Sequence, residues 1–257
     1  MSAPALAFDR RGRGPALVLL HPLGADRGIW APVAERLEGE REVIAVDLPG
    51  FGDSPPLDGD ASPAALARAV ADGLAAHGID AFDVAGNSLG GWVALELALA
   101  GRARSVVAIA PAGLWPRPLV PKRSMARLAA RLALPVAPAL MRAGGPRRFA
   151  LAMSAAHPER VPPAAAVGLI RAYAKAPGFR AVNAAMRATV FSGLDRIRVP
   201  VTLAWPEHDR LIARLEHTPP GVRTVVLRDT GHMPMWDDPA QVAEVLLAGS
   251  AQRAAAA

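Results

Sequence analysis

The 257-residue chain is predicted to fold as an α/β protein, with a mostly parallel central sheet, helices on both faces and a helical cap inserted after one sheet strand. Three observations predict this. Short apolar runs alternate with helical patterns from Pro15 to Ala110. The alternation breaks near Gly113 and resumes at Val199. A glycine-flanked turn, Gly86 to Gly90, stands between a predicted strand and a predicted helix.

The elements follow in order. Pro15 to Leu20 is a short apolar run suited to a strand buried on both faces. A helical pattern covers Ile29 to Leu37, and Glu42 to Val46 is the next strand, ending at Asp47. Ser62 offers an N-cap and Pro63 the first helical position, for a helix that runs to about His77 and stops at Gly78. Ala81 to Ala85 is a strand, Leu89 to Ala100 a helix closed by Gly101, and Ser105 to Ala110 a strand. That helix is apolar nearly all round except Glu96, which marks it as central. After the interruption come strands at Val199 to Trp205 and Val222 to Arg228, and a last helix from Pro239 to near Ala248. The tail from Ser250 is expected to fray. These spans divide the chain into a core, 1–114 and 195–257, and a cap, 115–194.

Composition narrows the classes. Hydrophobic residues make up 52% of the chain, enough for a large core. There is no cysteine, so neither a disulfide framework nor a thiolate metal site is available. Met1 to Gly14 has only a brief apolar run ahead of Asp9, Arg10, Arg11 and Arg13, which is not the order of a secretion signal. No stretch approaches the ~20 apolar residues that span a bilayer. Leu132 to Met141 is apolar but holds Pro135 and Pro138, and reads as a surface helix pair or an entrance lining. A soluble, cytoplasmic protein is expected.

The net charge of +6 is unevenly placed. Residues 117–198 carry 15 Lys and Arg against only Glu159 and Asp195, a net +13 that leaves −7 on the rest. A basic insert on an acidic body does not suggest nucleic-acid binding. Two readings of the cap stand open: it steers an anionic substrate, or its arginines face water and dock the acidic body.

Gly86-Asn87-Ser88-Leu89-Gly90 fits G-x-S-x-G in its required strand–turn–helix setting. A serine on so sharp a turn needs small residues two before and two after, which Gly86 and Gly90 supply. The following helix points free amides at the hydroxyl and favours negative charge there. Serine needs a general base. His232 lies just after the last predicted strand, at the same carboxyl edge as Ser88; His21, His77, His157, His208 and His217 are less well placed. The base needs a carboxylate to fix its tautomer. Asp209 completes the order Ser, Asp, His, with Glu207 as competitor. Asp237 and Asp238 read as the start of the last helix. The amides of Leu89 and of Leu23, in His21-Pro22-Leu23-Gly24, are assigned to an oxyanion, with His21 as loop organiser. Asp47 to Ser54 reads as a structural turn near the site rather than a phosphate loop.

Together with Asp47-Leu48-Pro49-Gly50-Phe51-Gly52-Asp53-Ser54, Trp205-Pro206-Glu207-His208-Asp209 and Gly231-His232, these motifs resemble the α/β-hydrolase superfamily. Its small capped members are nearest: carboxylesterases, cofactor-free haloperoxidase-like enzymes and carbon–carbon bond hydrolases. The resemblance spans most of the chain outside the cap. It implies an enzyme without metal or organic cofactor, acting on a small-molecule substrate. Similar proteins usually have glycine where Pro206 stands, and many have glycine at Pro22. Many esterases have histidine at Asn87. Carbon–carbon hydrolases resemble this chain in Asn87 and in Trp236, four residues after His232. Ser88 separates it from haloalkane dehalogenases and epoxide hydrolases of this fold that use an aspartate nucleophile. Of the apolar wall candidates, Leu23, Met233 and Trp236 are expected near the substrate, with Asn87.

The leading expectation is ester or related acyl hydrolysis through an acyl-enzyme. A carbon–carbon hydrolase or lyase on the same residues is the second reading. A catalytically weak receptor or scaffold is the third. Oligomeric state is not legible.

Overall fold

The computed structural model describes residues 5–120 and 125–250. Seven strands form one sheet: β1 (Phe8–Gly12), β2 (Ala16–Leu20), β3 (Glu42–Val46), β4 (Asp83–Asn87), β5 (Val106–Ile109), β6 (Val201–Pro206) and β7 (Val222–Leu227). Their spatial order is β1-β3-β2-β4-β5-β6-β7, and every pair is parallel except β1 with β3. Six strands match the sequence expectation to within two residues at each end. β1 is the addition. Its sequence, FDRRG, is charged and mostly exposed, so it carries no hydrophobic period. It pairs at the sheet edge, where charged side chains are tolerated and block further pairing.

Ten α-helices accompany the sheet among the described residues: α1 (Ala31–Leu37), α2 (Pro63–Ala75), α3 (Leu89–Leu99), α4 (Ala126–Ala133), α5 (Ala137–Arg142), α6 (Gly144–Leu151), α7 (Pro163–Lys175), α8 (Phe179–Ala188), α9 (Pro234–Asp237) and α10 (Pro239–Ser250). The Ser62 hydroxyl accepts from Ala65 N–H at 3.2 Å, and Pro63 opens α2, as the sequence indicated. Strand side chains alternate between two cores. Val18, Leu20, Ile44, Val46 and Val84 pack with α2 and α3 on one face. Leu17, Leu19, Val43, Ala45 and Ala85 pack with α1 and α10 on the other. Of the tail expected to fray, 251–257 lie outside the described residues. Ser250 itself is buried, and its hydroxyl accepts from Arg41 at 2.7 Å. No helix among the described residues is long and apolar enough to cross a membrane.

The order of strands positions the site. The chain steps from β2 to β3 in one direction, then crosses back to place β4 on the other side of β2. The loops leaving β2 and β4 therefore diverge, and a crevice opens between them at the carboxyl edge. Residues 21–24 and Ser88 occupy those two loops.

Helices α4 to α8 lie between β5 and β6. The insertion is pinned at its ends where Phe191 N–H donates to the Gly113 carbonyl at 2.9 Å. The turn between α7 and α8 sits on the 47–54 turn, with Gly178 N–H donating to Gly50 at 2.9 Å. A Cβ on Gly50, where φ is +86°, would stand 2.7 Å from the Gly178 Cα. Glycine at this point permits the close approach of the α7–α8 turn to the 47–54 turn.

Candidate active site

β4 runs straight into the elbow. Ser88 has φ 55° and ψ −113°, a backbone that non-glycine residues rarely adopt. The turn is so tight that a Cβ on Gly86 would strike the Gly90 carbonyl, and one on Gly90 would strike the Leu20 carbonyl. Both glycines are thus dictated by backbone contact. Main-chain hydrogen bonds hold the strained residue: Ser88 N–H donates to Ile109 at 2.9 Å, and its carbonyl accepts from Ala112 at 3.0 Å and Trp92 at 3.1 Å. The Ser88 residue is 8% exposed, as a group reached only from a cleft would be.

The histidine and acid loops leave β7 and β6. His232 Nδ1 lies 2.7 Å from Asp209 Oδ2. The other carboxylate oxygen accepts the N–H groups of Leu211 at 2.7 Å and Ile212 at 3.0 Å. With its acceptors engaged this way, Asp209 receives the Nδ1 proton and leaves Nε2 as an acceptor. Glu207, the competing acid, pairs instead with Arg228 at 2.9 Å and accepts Asp229 N–H. Pro206 ends β6 without diverting the loop: Glu207 N–H still reaches Leu227, and His208 N–H reaches Thr230.

The Asn87 amide nitrogen donates to the carbonyls of Ile109 at 3.2 Å and His232 at 3.0 Å. The backbone of His232 is therefore tied to the residue preceding Ser88. The Ser88 hydroxyl itself makes no hydrogen bond to the imidazole; such bonds commonly tighten only around bound substrate. Asn87 is fully buried; its amide nitrogen is committed to main chain, and its Oδ1 has no hydrogen-bond partner among the described residues.

Leu89 opens α3 and is fully buried, and Leu23 is half-buried in the loop after β2. Among the described residues neither N–H donates to a protein acceptor. Two histidine contacts brace the loop. His21 Nδ1 lies 2.8 Å from the Pro22 carbonyl, and its Nε2 accepts Leu48 N–H at 2.9 Å. Burial pushes its pKa below the usual range, against the raising influence of Pro22, Asp47 and Asp26. The ring is thus neutral with its proton on Nδ1. Gly24, at φ +80°, sits under the cap: a Cβ there would stand 2.7 Å from the Tyr173 ring.

Met233 is buried and its N–H donates to Ser154 in the cap at 2.7 Å, and Trp236 is half-buried against the same core cluster. Asp237 does not start the last helix. Its carboxylate, 2% exposed, accepts the N–H groups of Gly231 at 2.7 Å, Ala156 at 3.0 Å and His157 at 2.8 Å. Asp238 takes the capping task, accepting Gln241 N–H at 2.9 Å. No sequence signal marked Asp237, because its partners are main-chain groups, two of them about eighty residues away.

A cleft of about 600 Å³ beside the acid loop is walled by Pro111, Leu114, Trp115 and Ile212 together with the polar Glu216 and His217; Ser88, Asp209 and His232 do not line it. Pro111 precedes the Ala112 that holds Ser88, and Ile212 donates to Asp209. Leu23, Met233 and Trp236, the residues expected near the substrate, are not among the walls of this cleft. No group of three or more metal-ligating side chains occurs among the described residues.

This sheet, with its serine elbow and helical insertion, has the architecture of the α/β-hydrolase class. The chain belongs to the alpha/beta hydrolase family, whose profile matches residues 17–245, and it is a hydrolase. It is 33% identical to epoxide hydrolase EphH of Mycobacterium tuberculosis over 72% of this chain and 93% of that one. It is 30% identical to the putative carbamate hydrolase RutD of Escherichia coli over 92% of this chain and 90% of that one. An esterase from Thermogutta terrifontis shares the fold, with a TM-score of 0.74 at 24% identity, covering 96% of this chain and 93% of that one.

Proposed function

We propose that this hydrolase cleaves an ester or a related acyl bond of a small, largely apolar substrate through a covalent acyl-enzyme. The observation that carries the reading is the 2.7 Å pairing of His232 with Asp209, bonded through Asn87 to a serine elbow held at positive φ. Ser88 Oγ attacks the acyl carbon while His232 Nε2 takes its proton. Asp209 stays ionised and stabilises the imidazolium. The carbonyl oxygen becomes an oxyanion, received by the N–H groups of Leu89 and Leu23. Losing one such donor costs about 2.7–4 kcal/mol of barrier. His232 then returns its proton to the leaving group. Water, activated by the same imidazole, frees the acid and restores Ser88.

The cleft beside Trp115 and Ile212 supplies an apolar wall. A carbamate also presents an acyl carbon to Ser88, so the relatives named for carbamate hydrolysis fall within this reading. Epoxide opening does not. Serine attack on an epoxide leaves an ether, which water cannot release as it releases an acyl ester. Retaining the carbon–carbon reading would require activity on a diketone-type substrate without ester turnover.

The test is a fluorophosphonate probe with mass mapping of the adduct, followed by p-nitrophenyl esters of increasing chain length and a phenyl carbamate. Labelling is expected at Ser88, and Ser88→Ala should lower kcat by about 10⁴-fold or more. Full turnover by Ser88→Ala would overturn the assignment. Labelling without turnover of any ester or carbamate would favour carbon–carbon cleavage or a receptor.

A further inference from the structure

Of the nine large apolar side chains exposed among the described residues, eight fall between Val120 and Met153. α4 shows how this arises. Leu128 lies three residues after Met125 and four before Leu132, so the three share one helical face. No residue of α4 is buried. The helix is held by its charged side instead. Arg127 donates to the Tyr173 carbonyl at 3.0 Å and to that of Ala176, with its guanidinium over the Phe179 ring. Arg131 donates to Ala174 at 2.8 Å. These carbonyls belong to the last turn of α7 and its exit, where intrahelical donors run out. The usual arrangement of a surface helix, apolar side inward and charged side outward, is reversed. Further along, Val136, Leu140, Phe149 and Met153 remain exposed; Phe149 is 88% exposed and Leu132 73%.

The charge over this stretch has one sign. Between residues 120 and 158 there are seven Lys and Arg and no Asp or Glu. Among the described residues, no Lys or Arg of 117–198 forms an ion pair with a carboxylate. Arg147, Arg160, Arg187 and Arg196, like the two on α4, donate to main-chain carbonyls. No carboxylate of the acidic body therefore pairs directly with these cations, although Arg171 and Lys175 share a cleft with Asp9, Asp26, Asp47 and Asp53.

Apolar side chains amid uncompensated guanidinium groups match the interfacial zone of a bilayer containing anionic lipid. There the apolar groups enter the acyl boundary and the cations meet headgroups. A second copy of the cap would bring the same positive charge against itself. We propose that α4–α6 form a peripheral docking face for anionic membrane surfaces. α4 rests on the end of α7, whose Tyr173 covers Gly24, so docking sets the roof of the candidate site against lipid.

The full chain would be tested by co-sedimentation with phosphatidylcholine vesicles, with and without phosphatidylglycerol, at low and high salt. Binding to the mixed vesicles should be at least ~10-fold tighter than to phosphatidylcholine alone and should weaken with salt. The Leu132→Glu/Phe149→Glu double variant should lose at least ~10-fold in binding with an unchanged melting temperature, because both sites are exposed. Arg142→Gln/Arg148→Gln, at two further exposed positions, should remove the preference for anionic lipid and gives an independent arm if the first pair fails to fold. Wild-type protein that sediments with neither vesicle, or a Leu132→Glu/Phe149→Glu variant that binds as wild type, would overturn the proposal. So would a monomer–dimer equilibrium in sedimentation velocity that this variant abolishes while vesicles stay unbound, or capture of an acidic protein without vesicle binding. Vesicle binding reads no turnover, so its failure is separate from failure of the acyl-hydrolase reading.

Discussion

The side-chain amide of Asn87 donates to the main-chain carbonyl of His232 at 3.0 Å, joining the elbow to the histidine loop across 145 positions of sequence. The same nitrogen reaches Ile109. Asn87→Ala would remove the side-chain donor to the His232 carbonyl, at about 1–3 kcal/mol, while Ile109 keeps the Ser88 N–H. A lower urea midpoint and a fall in kcat with KM little changed are expected. A substrate-contacting Asn87 would instead raise KM and leave the midpoint alone.

Asp237 holds Gly231, the neighbour of His232, and with it the cap residues Ala156 and His157. Asp237→Asn turns one acceptor oxygen into a donor facing N–H groups. It should lower stability by about 2 kcal/mol and reduce kcat through a displaced imidazole. Denaturant unfolding and a kcat–pH profile measure the two effects. An unchanged profile together with an unchanged midpoint would remove the proposed role in placing His232.

Gly86→Ala and Gly90→Ala each force a methyl group into backbone. The expected cost is about 1–3 kcal/mol from overpacking, with greater damage to the elbow than to the sheet. The rate of fluorophosphonate labelling should therefore fall further than the melting temperature suggests. Labelling at the wild-type rate would show that the turn has other room to move.

Two histidines give opposite pH signatures. His21 has a pKa depressed chiefly by burial, so its contribution to stability is present above its unfolded value near 6.5 and is lost as pH falls through the lower folded value. Ring ¹⁵N shifts should show the neutral Nδ1–H form at pH 7, with no titration until well below 6.5. His157, in the cap, behaves the other way. Burial lowers its pKa, but the hydrogen bond to Asp229 at 2.8 Å, with help from Glu159, outweighs that and raises it. This clasp between cap and core is fully made below about 6.5 and is lost as pH rises through the folded pKa. NMR titration of His157, and its collapse to an ordinary curve in Asp229→Asn, checks the second case.

Much was legible because local chemistry repeats fixed patterns. Parallel strands buried on both faces leave continuous apolar runs, so β2, β3, β5 and β6 announced themselves. The Gly86 to Gly90 turn was legible because only glycine survives its backbone contacts. β1 was hidden because an edge strand owes its place to pairing with β3 rather than to an apolar period. Asp237 was misread because proximity to Pro239 resembles a helix start.

By itself, the sequence determined the α/β architecture and the glycine-flanked serine turn, since periodicity and steric limits are written locally. The tertiary structure alone decided that Asn87 and Asp237 hold the His232 loop, and that α4 turns its apolar side outward. Those outcomes depend on hydrogen bonds between residues far apart in the chain, and no local pattern encodes the distances that folding brings to within contact.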